Sequence, residues 1–262
     1  MPTRLALLAT ASADAVHLSA RLDLPLVDNL PGDCSLYDAV LLRHEGRLCL
    51  QELGSMAPGP VSVNFGDSAM RHRRRGGQNE LLGRAVGCGR KPQLSVLDAT
   101  AGLGRDSFVL ADLGCRVQMC ERDPVIATLL ASGLEQARMA SDAWLSYTSE
   151  RLSLWEGVAQ ELPIPLRQSI DTIYLDPMFP GRDKTAAVKK EMAVFQRYLA
   201  GSAAADQKGE TEALLHWALE QPVARVVLKR PPKAPLLADC KPSHQIVGKA
   251  VRFDVFVLSA FS

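Results

Sequence analysis

The sequence has 262 residues, of which 47% are hydrophobic and 23% are charged. This composition is typical of a folded globular protein and excludes collagen-like, disordered and low-complexity chains. The net charge is +1, from 30 Lys and Arg against 29 Asp and Glu, so a polyanionic partner would have to bind a local basic patch. The six cysteines contain no C-x-x-C pair, which favours buried thiols in a reducing compartment over a structural zinc site.

Residues 1–87 predict a small α+β domain, which is a candidate for RNA contact. Its expected elements are a strand over Leu5–Thr10, an amphipathic helix over Ala13–Leu22, a hairpin of Ala39–Arg43 with Arg47–Leu53, a strand over Val61–Phe65 and a helix over Asn79–Val86. The first apolar run is shorter than the about 7–15 residues of a signal peptide, so a strand is favoured there. No apolar run approaches the about 20 residues of a membrane-spanning helix.

Residues 88–262 predict a second domain in which strands and helices alternate. Strands are expected over Leu94–Leu97, Arg116–Cys120, Leu152–Trp155, Ile170–Leu175 and Ala224–Lys229, and helices over Arg105–Leu113, Pro124–Met139, Ala187–Leu199 and Thr211–Leu219. This alternation indicates a parallel sheet with helices on both faces. Two final segments, Ser243–Val247 and Arg252–Leu258, predict an antiparallel hairpin, which departs from the all-parallel pattern of dinucleotide-binding sheets.

The first strand of the second domain ends in Asp98, and the loop after it carries Gly102 and Gly104 before a helix begins. Ligands of open α/β sheets bind outside the carboxyl ends of the strands, where glycines let the backbone approach them closely. A dinucleotide fingerprint requires a third glycine where Ser107 stands, and the Asp98 carboxylate would repel a pyrophosphate. The loop therefore favours a cationic ligand such as S-adenosylmethionine, whose ammonium Asp98 can bind directly or through water, over an ordinary strand–helix turn.

The second strand ends in Glu121, about 20 residues beyond the glycine loop, which is the spacing at which an acidic side chain accepts ribose hydroxyls. We predict this role for Glu121, against the alternative of an ordinary surface charge. The turn after the third strand, residues 156–160, is expected beside the adenine because of its position in this fold class.

The fourth strand ends in Asp176-Pro177-Met178-Phe179-Pro180, which resembles the (Asp/Asn)-Pro-Pro-(Phe/Tyr) motif of methyltransferases that modify exocyclic amines of nucleobases. An aromatic amine is a poor nucleophile because its lone pair is delocalised into the ring. If the Asp176 carboxylate and the Pro177 carbonyl accept its N–H bonds, the lone pair becomes available for in-line methyl transfer, and the prolines keep these acceptors rigid. Phe179 offers a face on which a flipped base can stack. We favour this chemistry, which needs no metal, over a proline-stiffened turn with a buried Phe.

Three groups of basic residues are candidates for phosphate contacts with a structured RNA or DNA, although a run of charges is usually only a solvated surface. They are Arg71, Arg73, Arg74 and Arg75; Arg182, Lys184, Lys189 and Lys190; and Lys229, Arg230 and Lys233. The second and third groups flank the carboxyl edge of the predicted sheet, where the methyl-accepting base would lie.

Several segments resemble the RsmJ family of bacterial small-subunit ribosomal RNA guanine-N2 methyltransferases. They are residues 69–74, 96–106, 174–180, 188–192 and 251–254, of which Gly-Leu-Gly-Arg-Asp and Asp-Pro-Met-Phe-Pro are the most specific. The resemblance spans nearly the whole chain. It implies a Rossmann-like S-adenosylmethionine-dependent methyltransferase sheet, N2-methylguanine in 16S ribosomal RNA as the product, and a cytoplasmic location.

The same resemblance implies a set of cofactor-binding residues: Arg105, Asp106, Glu121, Arg122, Val158, Ala159 and Asp176. The family usually carries small hydroxyl residues at the turn after the third strand, where this chain has Val158 and Ala159. The predicted site therefore combines these residues with Asp98 and the two loop glycines.

Other functions remain open on the sequence. A nicotinamide-dependent oxidoreductase is disfavoured by Asp98 and Ser107. A methyltransferase of DNA or of a protein amide would use the same Asp-Pro chemistry, because that chemistry serves any planar amine. A ribosome-assembly factor with a decayed cofactor pocket is disfavoured by the intact glycine loop, Glu121 and Asp176.

Overall fold

A computed structural model describes the chain over residues 3–9, 13–30, 36–75, 80–177, 194–195, 198 and 207–261. The described residues belong to two compact units, Met1–Val63 with Phe179–Gln207, and Asn64–Met178 with Lys208–Ser262. The sequence predicts a domain boundary at residue 87, whereas this division places residues 64–87 in the second unit. Each unit is described separately below.

The first unit contains a four-stranded sheet. Its elements are β1 (Leu5–Leu8), α1 (Ala13–Leu22), β2 (Leu26–Val27), β3 (Ala39–His44) and β4 (Arg47–Glu52). The strand order is β2-β1-β3-β4, with β1 parallel to both of its neighbours and β3 antiparallel to β4. Aliphatic side chains of β1, β3 and β4 are buried, and the predicted first strand, first helix and hairpin are confirmed.

The hairpin turn consists of Glu45 and Gly46, which have φ values of 50° and 74°. Two successive left-handed residues match the twist of a two-residue hairpin. The predicted strand over Val61–Phe65 is wrong, because this described segment forms one isolated antiparallel bridge, between Val61 and Leu50. Prolines before Val61 lack the N–H that a longer ladder would require.

The second unit contains a seven-stranded sheet. Its strands are β5 (Ser95–Asp98), β6 (Arg116–Glu121), β7 (Leu152–Glu156), β8 (Thr172–Leu175), β9 (Arg225–Arg230), β10 (His244–Val247) and β11 (Arg252–Val257). Their order is β10-β11-β9-β8-β5-β6-β7. Strands β5 to β9 are parallel, whereas β11 runs antiparallel to both β9 and β10. The predicted Rossmann-like sheet with an antiparallel C-terminal hairpin is confirmed.

The strand order reverses next to β5, which lies between β6 and β8. The chain therefore proceeds outwards from β5 on one side of the sheet and from β8 on the other. Ligands of open α/β sheets bind at such a switch point, outside the carboxyl ends of the strands. This topology predicts a ligand site at the loops that follow β5, β6 and β8.

Seven helices of the described residues belong wholly or almost wholly to the second unit. They are α2 (Ser68–Arg75), α3 (Glu80–Val86), α4 (Arg105–Asp112), α5 (Pro124–Arg138), α6 (Ala143–Ser149), α7 (Ile164–Arg167) and α8 (Gln207–Leu219). The start of α5 is well specified, because the Asp123 side chain accepts the N–H groups of Val125 and Ile126, and Pro124 occupies the first helical position. The sequence did not predict α2, α6 or α7. The predicted helix over Ala187–Leu199 lies mostly outside the described residues, within which positions 194, 195 and 198 are helical.

Candidate active site

Asp98 ends β5 beneath the glycine loop and has 2% of its surface exposed. Its Oδ1 accepts a hydrogen bond from the Thr100 N–H at 3.2 Å, and its Oδ2 accepts one from the Ser107 hydroxyl at 2.5 Å. Burial raises the pKa of Asp98 to about 7, although these hydrogen bonds act in the opposite direction. Asp98 therefore connects the end of β5 to the start of α4, and its direct pairing with a ligand ammonium stays a prediction.

The two loop glycines have left-handed backbones, with φ of 54° at Gly102 and 69° at Gly104. Gly104 precedes α4, and a Cβ there would lie 2.7 Å from Cδ1 of Leu130 and 3.2 Å from Cζ of Phe65. A Cβ at Gly102 would meet no described atom within 4 Å. Gly104 thus permits close packing, whereas Gly102 borders open space in which a ligand can approach the backbone.

Glu121 ends β6, and its side chain closes the base of the glycine loop. Its Oε2 accepts the Gly102 N–H at 2.8 Å, and its Oε1 accepts the Asp123 N–H at 2.8 Å. Burial raises the pKa of Glu121. Each carboxylate oxygen can accept more than one hydrogen bond, so this geometry is compatible with the predicted contact to ribose hydroxyls.

Asp106, in the first turn of α4, is the centre of a buried charged cluster. Its Oδ2 accepts hydrogen bonds from the Tyr174 hydroxyl and from Nζ of Lys229, both at 2.6 Å, and its Oδ1 pairs with Arg73 at 2.5 Å. Burial alone would raise the pKa of Asp106, but the charges of Lys229 and Arg73 outweigh burial and hold the pKa below its ordinary value. Asp106 is therefore a buried anion with protein partners, and its contact with a cofactor stays a prediction.

Asp176 follows β8 directly and lies at the same sheet edge as Asp98, because β5 and β8 are neighbouring parallel strands. Its backbone N–H donates to Oγ1 of Thr100 at 2.7 Å, and its Oδ2 accepts a hydrogen bond from Nζ of Lys229 at 2.7 Å. The side chain remains 23% exposed. The predicted amine acceptor is thus held through both its main chain and its side chain while its carboxylate still reaches solvent.

Only part of the Asp-Pro motif belongs to the described residues. Pro177 is half-buried and ends the described segment 80–177, whereas the predicted stacking residue Phe179 lies outside the described residues. The predicted roles of Pro177 and Phe179 remain predictions.

Two arginines that the family resemblance assigns to the cofactor form ion pairs at this edge of the sheet. Arg105 pairs with Asp67 at 3.2 Å, and Arg122 pairs with Glu210 at 2.8 Å. More than half of the Arg122 and Glu210 side chains is exposed, so that pair can rearrange at little cost.

The turn after β7 is tied to the end of β6. The Gly157 N–H donates to the Glu121 carbonyl at 2.8 Å, and a short 3-10 helix begins at Ala159, directly after Val158. Ala159 is buried and Val158 is half-buried. The turn that contains the two residues predicted beside the adenine therefore starts next to Glu121, and their contact with the adenine stays a prediction.

The basic segment predicted to contact nucleic acid forms α2, and its arginines bind acidic side chains of the same unit. The ion pairs are Arg71 with Asp142 at 2.7 Å, Arg73 with Asp106 at 2.5 Å and Arg74 with Asp112 at 3.2 Å. The guanidinium groups of Arg71 and Arg74 also lie 5.2 and 4.9 Å from the centre of the Trp144 ring. Charge pairing and cation–π contacts thus attach α2 to the unit, and phosphate contact by these arginines and by Arg75 stays a prediction.

Lys229 and Arg230 do not occupy the open surface positions that phosphate contacts require. The Lys229 side chain is 17% exposed, and Arg230 as a whole is 5% exposed. Both residues lie at the end of β9, an interior strand of the sheet that is flanked by β8 and β11. The other predicted group, Arg182, Lys184, Lys189 and Lys190, lies outside the described residues.

Sequence reasoning missed three side chains that organise the site: Thr100, Ser107 and Tyr174. Thr100 and Ser107 hold the two strand-end aspartates, and Tyr174 binds Asp106 from the centre of an apolar strand. For Tyr174 a signal was present, since a buried tyrosine hydroxyl usually has a hydrogen-bond partner. The hydroxyls of Thr100 and Ser107 carry no comparable signal.

The residues at this edge fit S-adenosylmethionine, which carries a ribose, an ammonium and a sulfonium. Open backbone at Gly102 and a carboxylate at Glu121 suit the nucleoside, and the acidic groups Asp98 and Asp176 favour a positively charged ligand. The same acidic groups disfavour a pyrophosphate.

Within the part of the chain that the structure describes, no group of three or more His, Cys, Asp and Glu residues could hold a metal ion. No helix in that part is long and apolar enough to cross a membrane. Five cysteines are among the described residues, and all five are free thiols.

Comparisons with known proteins agree with this fold and with S-adenosylmethionine as the cofactor. The family model SAM_MT, of SAM-dependent methyltransferases, matches residues 28–258. The crystal structure of a SAM-dependent methyltransferase from Neisseria gonorrhoeae is 32% identical, with a TM-score of 0.72, and the match covers 98% of this chain and 97% of that one. The molecule is therefore a methyltransferase that uses S-adenosylmethionine.

Curated relatives define the class more closely. A protein from Thioalkalivibrio sulfidiphilus, named ribosomal RNA small subunit methyltransferase J, is 48% identical over 93% of this chain and 92% of its own length. A protein of the same name from Pseudoalteromonas atlantica is 46% identical over 84% of this chain and 85% of its own length. The chain belongs to the ribosomal RNA small subunit methyltransferase J family, which confirms the family predicted from the sequence.

Proposed function

We propose that this protein transfers the methyl group of S-adenosylmethionine to the exocyclic N2 amine of a guanine in small-subunit ribosomal RNA. The observation that carries the proposal is the position of Asp176 and Pro177 at the end of β8, beside the glycine loop of a SAM-dependent methyltransferase. The names of the relatives, which act on small-subunit ribosomal RNA, support the substrate.

Residues on three neighbouring strand ends would hold the cofactor. The backbone at Gly102 would lie against it, Glu121 would accept its ribose hydroxyls, and the turn at Val158 and Ala159 would lie beside its adenine. Asp98 would face its ammonium, and a positive charge bound there favours the carboxylate form of this buried acid. When bound, S-adenosylmethionine supplies a methyl group on a positively charged sulfur, which an amine nitrogen can displace.

The Asp176 carboxylate and the Pro177 carbonyl would accept the N–H groups of the target amine. These contacts favour a pyramidal nitrogen, whose lone pair is then available for bond formation. Because one N–H proton must leave when the amine becomes methylated, the Asp176 carboxylate is also the group in position to receive it. Pro177 limits backbone motion, so the two acceptors require little reorganisation. Phe179 would give the base a stacking face.

Phosphate contacts would guide the RNA to this edge. Among the predicted contacts, Arg182, Lys184, Lys189 and Lys190 follow the Asp-Pro motif along the chain and are the group we retain for this role. Residues 1–87 are a second candidate for RNA contact. A cytoplasmic location follows from the proposed substrate.

Methyl transfer from tritiated S-adenosylmethionine tests the proposal directly. Purified protein would be incubated with small ribosomal subunits from a strain that lacks this activity, and the labelled RNA would be digested to nucleosides and resolved. We expect the label in N2-methylguanosine. Label in a different nucleoside would overturn the assignment of the base and leave the methyltransferase class unchanged.

A further inference from the structure

The ammonium of Lys229 lies between two carboxylates of the candidate active site. Its Nζ donates to Oδ2 of Asp106 at 2.6 Å and to Oδ2 of Asp176 at 2.7 Å. Burial alone would lower the pKa of Lys229, but the two carboxylates outweigh burial and raise it. Lys229 is therefore a charged group inside the site rather than a surface cation.

Strand register brings Lys229 beside Asp176. Strands β8 and β9 are parallel, and Leu175 pairs with Leu228, so the residues that follow these two, Asp176 and Lys229, lie at the same level. Neighbouring strands lie about 5 Å apart, a distance that a lysine side chain can span. The contact thus follows from the topology of the sheet.

Asp106 holds the same ammonium. It is itself held by the Tyr174 hydroxyl and by Arg73, so its position is defined independently of Asp176. Both carboxylates contact the same nitrogen, and without that ammonium two neighbouring anions would repel each other. Lys229 is the group that allows Asp176 to stay in place next to Asp106.

We propose that Lys229 is a positioning residue for methyl transfer, whose ammonium holds the Asp176 carboxylate in the orientation that accepts the target amine. The inference rests on the proposed function, which assigns the acceptor role to Asp176. Lys229 acts through Asp176 and not on the methyl group. Loss of Lys229 would misplace the Asp176 carboxylate, whose contact with the target amine matters most in the transition state. Turnover should therefore fall more than the affinity for RNA or cofactor.

Lys91 provides a matched control at the other end of β8. It pairs with Asp171 at 2.9 Å, and its side chain is 32% exposed. The residue types and the strand are the same, but Asp171 precedes β8 and lies at the edge opposite to the glycine loop. A purely structural lysine–aspartate pair is therefore available in the same sheet.

The experiment compares Lys229→Met with Lys91→Met in the full-length protein, with tritiated S-adenosylmethionine and small ribosomal subunits as substrates. We expect Lys229→Met to lower kcat by about 100-fold, while KM for the subunits and the cofactor dissociation constant change by less than about tenfold. Lys91→Met keeps the wild-type kcat and unfolds at a lower temperature. Equal kcat in the two variants would overturn the proposal.

A second variant keeps the test decisive if Lys229→Met does not fold. Lys229→Ala would be assayed with added methylammonium, which can replace the missing ammonium between the two carboxylates. We expect methylammonium to raise kcat of Lys229→Ala and to leave Lys91→Ala unchanged, and a folded Lys229→Ala without rescue would contradict the proposal. If the wild-type protein methylates a base other than guanine, the proposed function fails, while total methyl transfer still decides the role of Lys229.

Discussion

The two ends of β8 each carry an aspartate that pairs with a lysine, yet the surroundings of the two pairs differ. Before the strand, Asp171 accepts hydrogen bonds from Lys91 at 2.9 Å and from the Ser95 N–H at 2.9 Å. After the strand, Asp176 shares Lys229 with a second carboxylate, Asp106. Both pairs join segments that are far apart in the chain, but only the second pair belongs to a cluster with a further acid, Asp106, and a further cation, Arg73.

The difference between these ends shows where the sheet carries chemistry. At the amino end one acid faces one lysine, and the pair closes a connection between strands. At the carboxyl end the cluster contains two acids and two cations, so its charges balance while one acid still reaches solvent. A charged group can remain buried next to a ligand site only when it is compensated in this way.

The largest effect is expected for a substitution at the carboxyl end of β8. Asp176→Ala removes the amine acceptor, and we expect turnover to fall by about 100- to 1,000-fold. We expect the affinity of Asp176→Ala for the cofactor to change by less than about tenfold, because the variant loses a single hydrogen-bonding group. Methyl transfer to small ribosomal subunits and calorimetric cofactor binding measure the two quantities.

Asp171→Ala is the matched control for Asp176→Ala. It leaves Lys91 without its partner, so we expect the free energy of unfolding to fall by about 1–3 kcal/mol, with turnover unchanged. A loss of turnover in Asp171→Ala comparable with that in Asp176→Ala would show that the two ends of β8 do not differ in function.

Asp98, which ends β5 at the same edge as Asp176, predicts a dependence of stability on pH. Its pKa is raised to about 7 by burial, so between about pH 4 and 7 the unfolded chain releases a proton that the folded chain retains. The folded state therefore loses stability as the pH rises through this range. Relative to Asp98→Asn, we expect the wild-type protein to lose about 3 kcal/mol between pH 5 and pH 8. Urea unfolding at the two pH values measures this difference, and parallel curves for the two proteins would contradict the assigned pKa.

Gly102 and Gly114 form a matched pair of glycines, of which only Gly102 lies in the glycine loop of the candidate site. Both have positive φ, 54° and 95°, and a Cβ at either would meet no described atom within 4 Å. Alanine at either position is expected to lower the free energy of unfolding by about 1–2 kcal/mol. Gly102→Ala should in addition weaken cofactor binding, because its Cβ would enter the space that the ligand uses, whereas Gly114→Ala should not. Equal cofactor affinities in the two variants would place the ligand elsewhere.

The sequence predicts the strand-end acids well, because each follows from local pattern. Asp98 and Glu121 end their strands, Asp176 directly follows its strand, and the alternation of strands with helices places all three at one edge. The hairpin that closes the sheet is also visible as two late strand patterns.

Other parts of the site depend on contacts that no local pattern reveals. Arg73 and Lys229 both bind Asp106, although they lie in different elements far apart in the chain, so the sequence alone predicts them only as candidates for phosphate contacts. The helix α2 was missed for a related reason: its arginines give a strongly polar segment, and its stability comes from aspartates elsewhere in the unit.

The smallest expected effect concerns Arg74, which the sequence assigns to RNA and the structure pairs with Asp112 and the Trp144 ring. Its side chain is 52% exposed, and an exposed ion pair contributes about 0–1 kcal/mol. We expect Arg74→Gln to lower the free energy of unfolding by about 0.5 kcal/mol and to leave turnover unchanged. Since the guanidinium is already paired, the slope of RNA affinity against salt concentration should also stay the same. A slope that decreases by about one unit would instead identify Arg74 as a phosphate contact. Arg73→Gln serves as the comparison variant, because it disturbs the Asp106 cluster and should lower turnover, whereas Arg74→Gln should not.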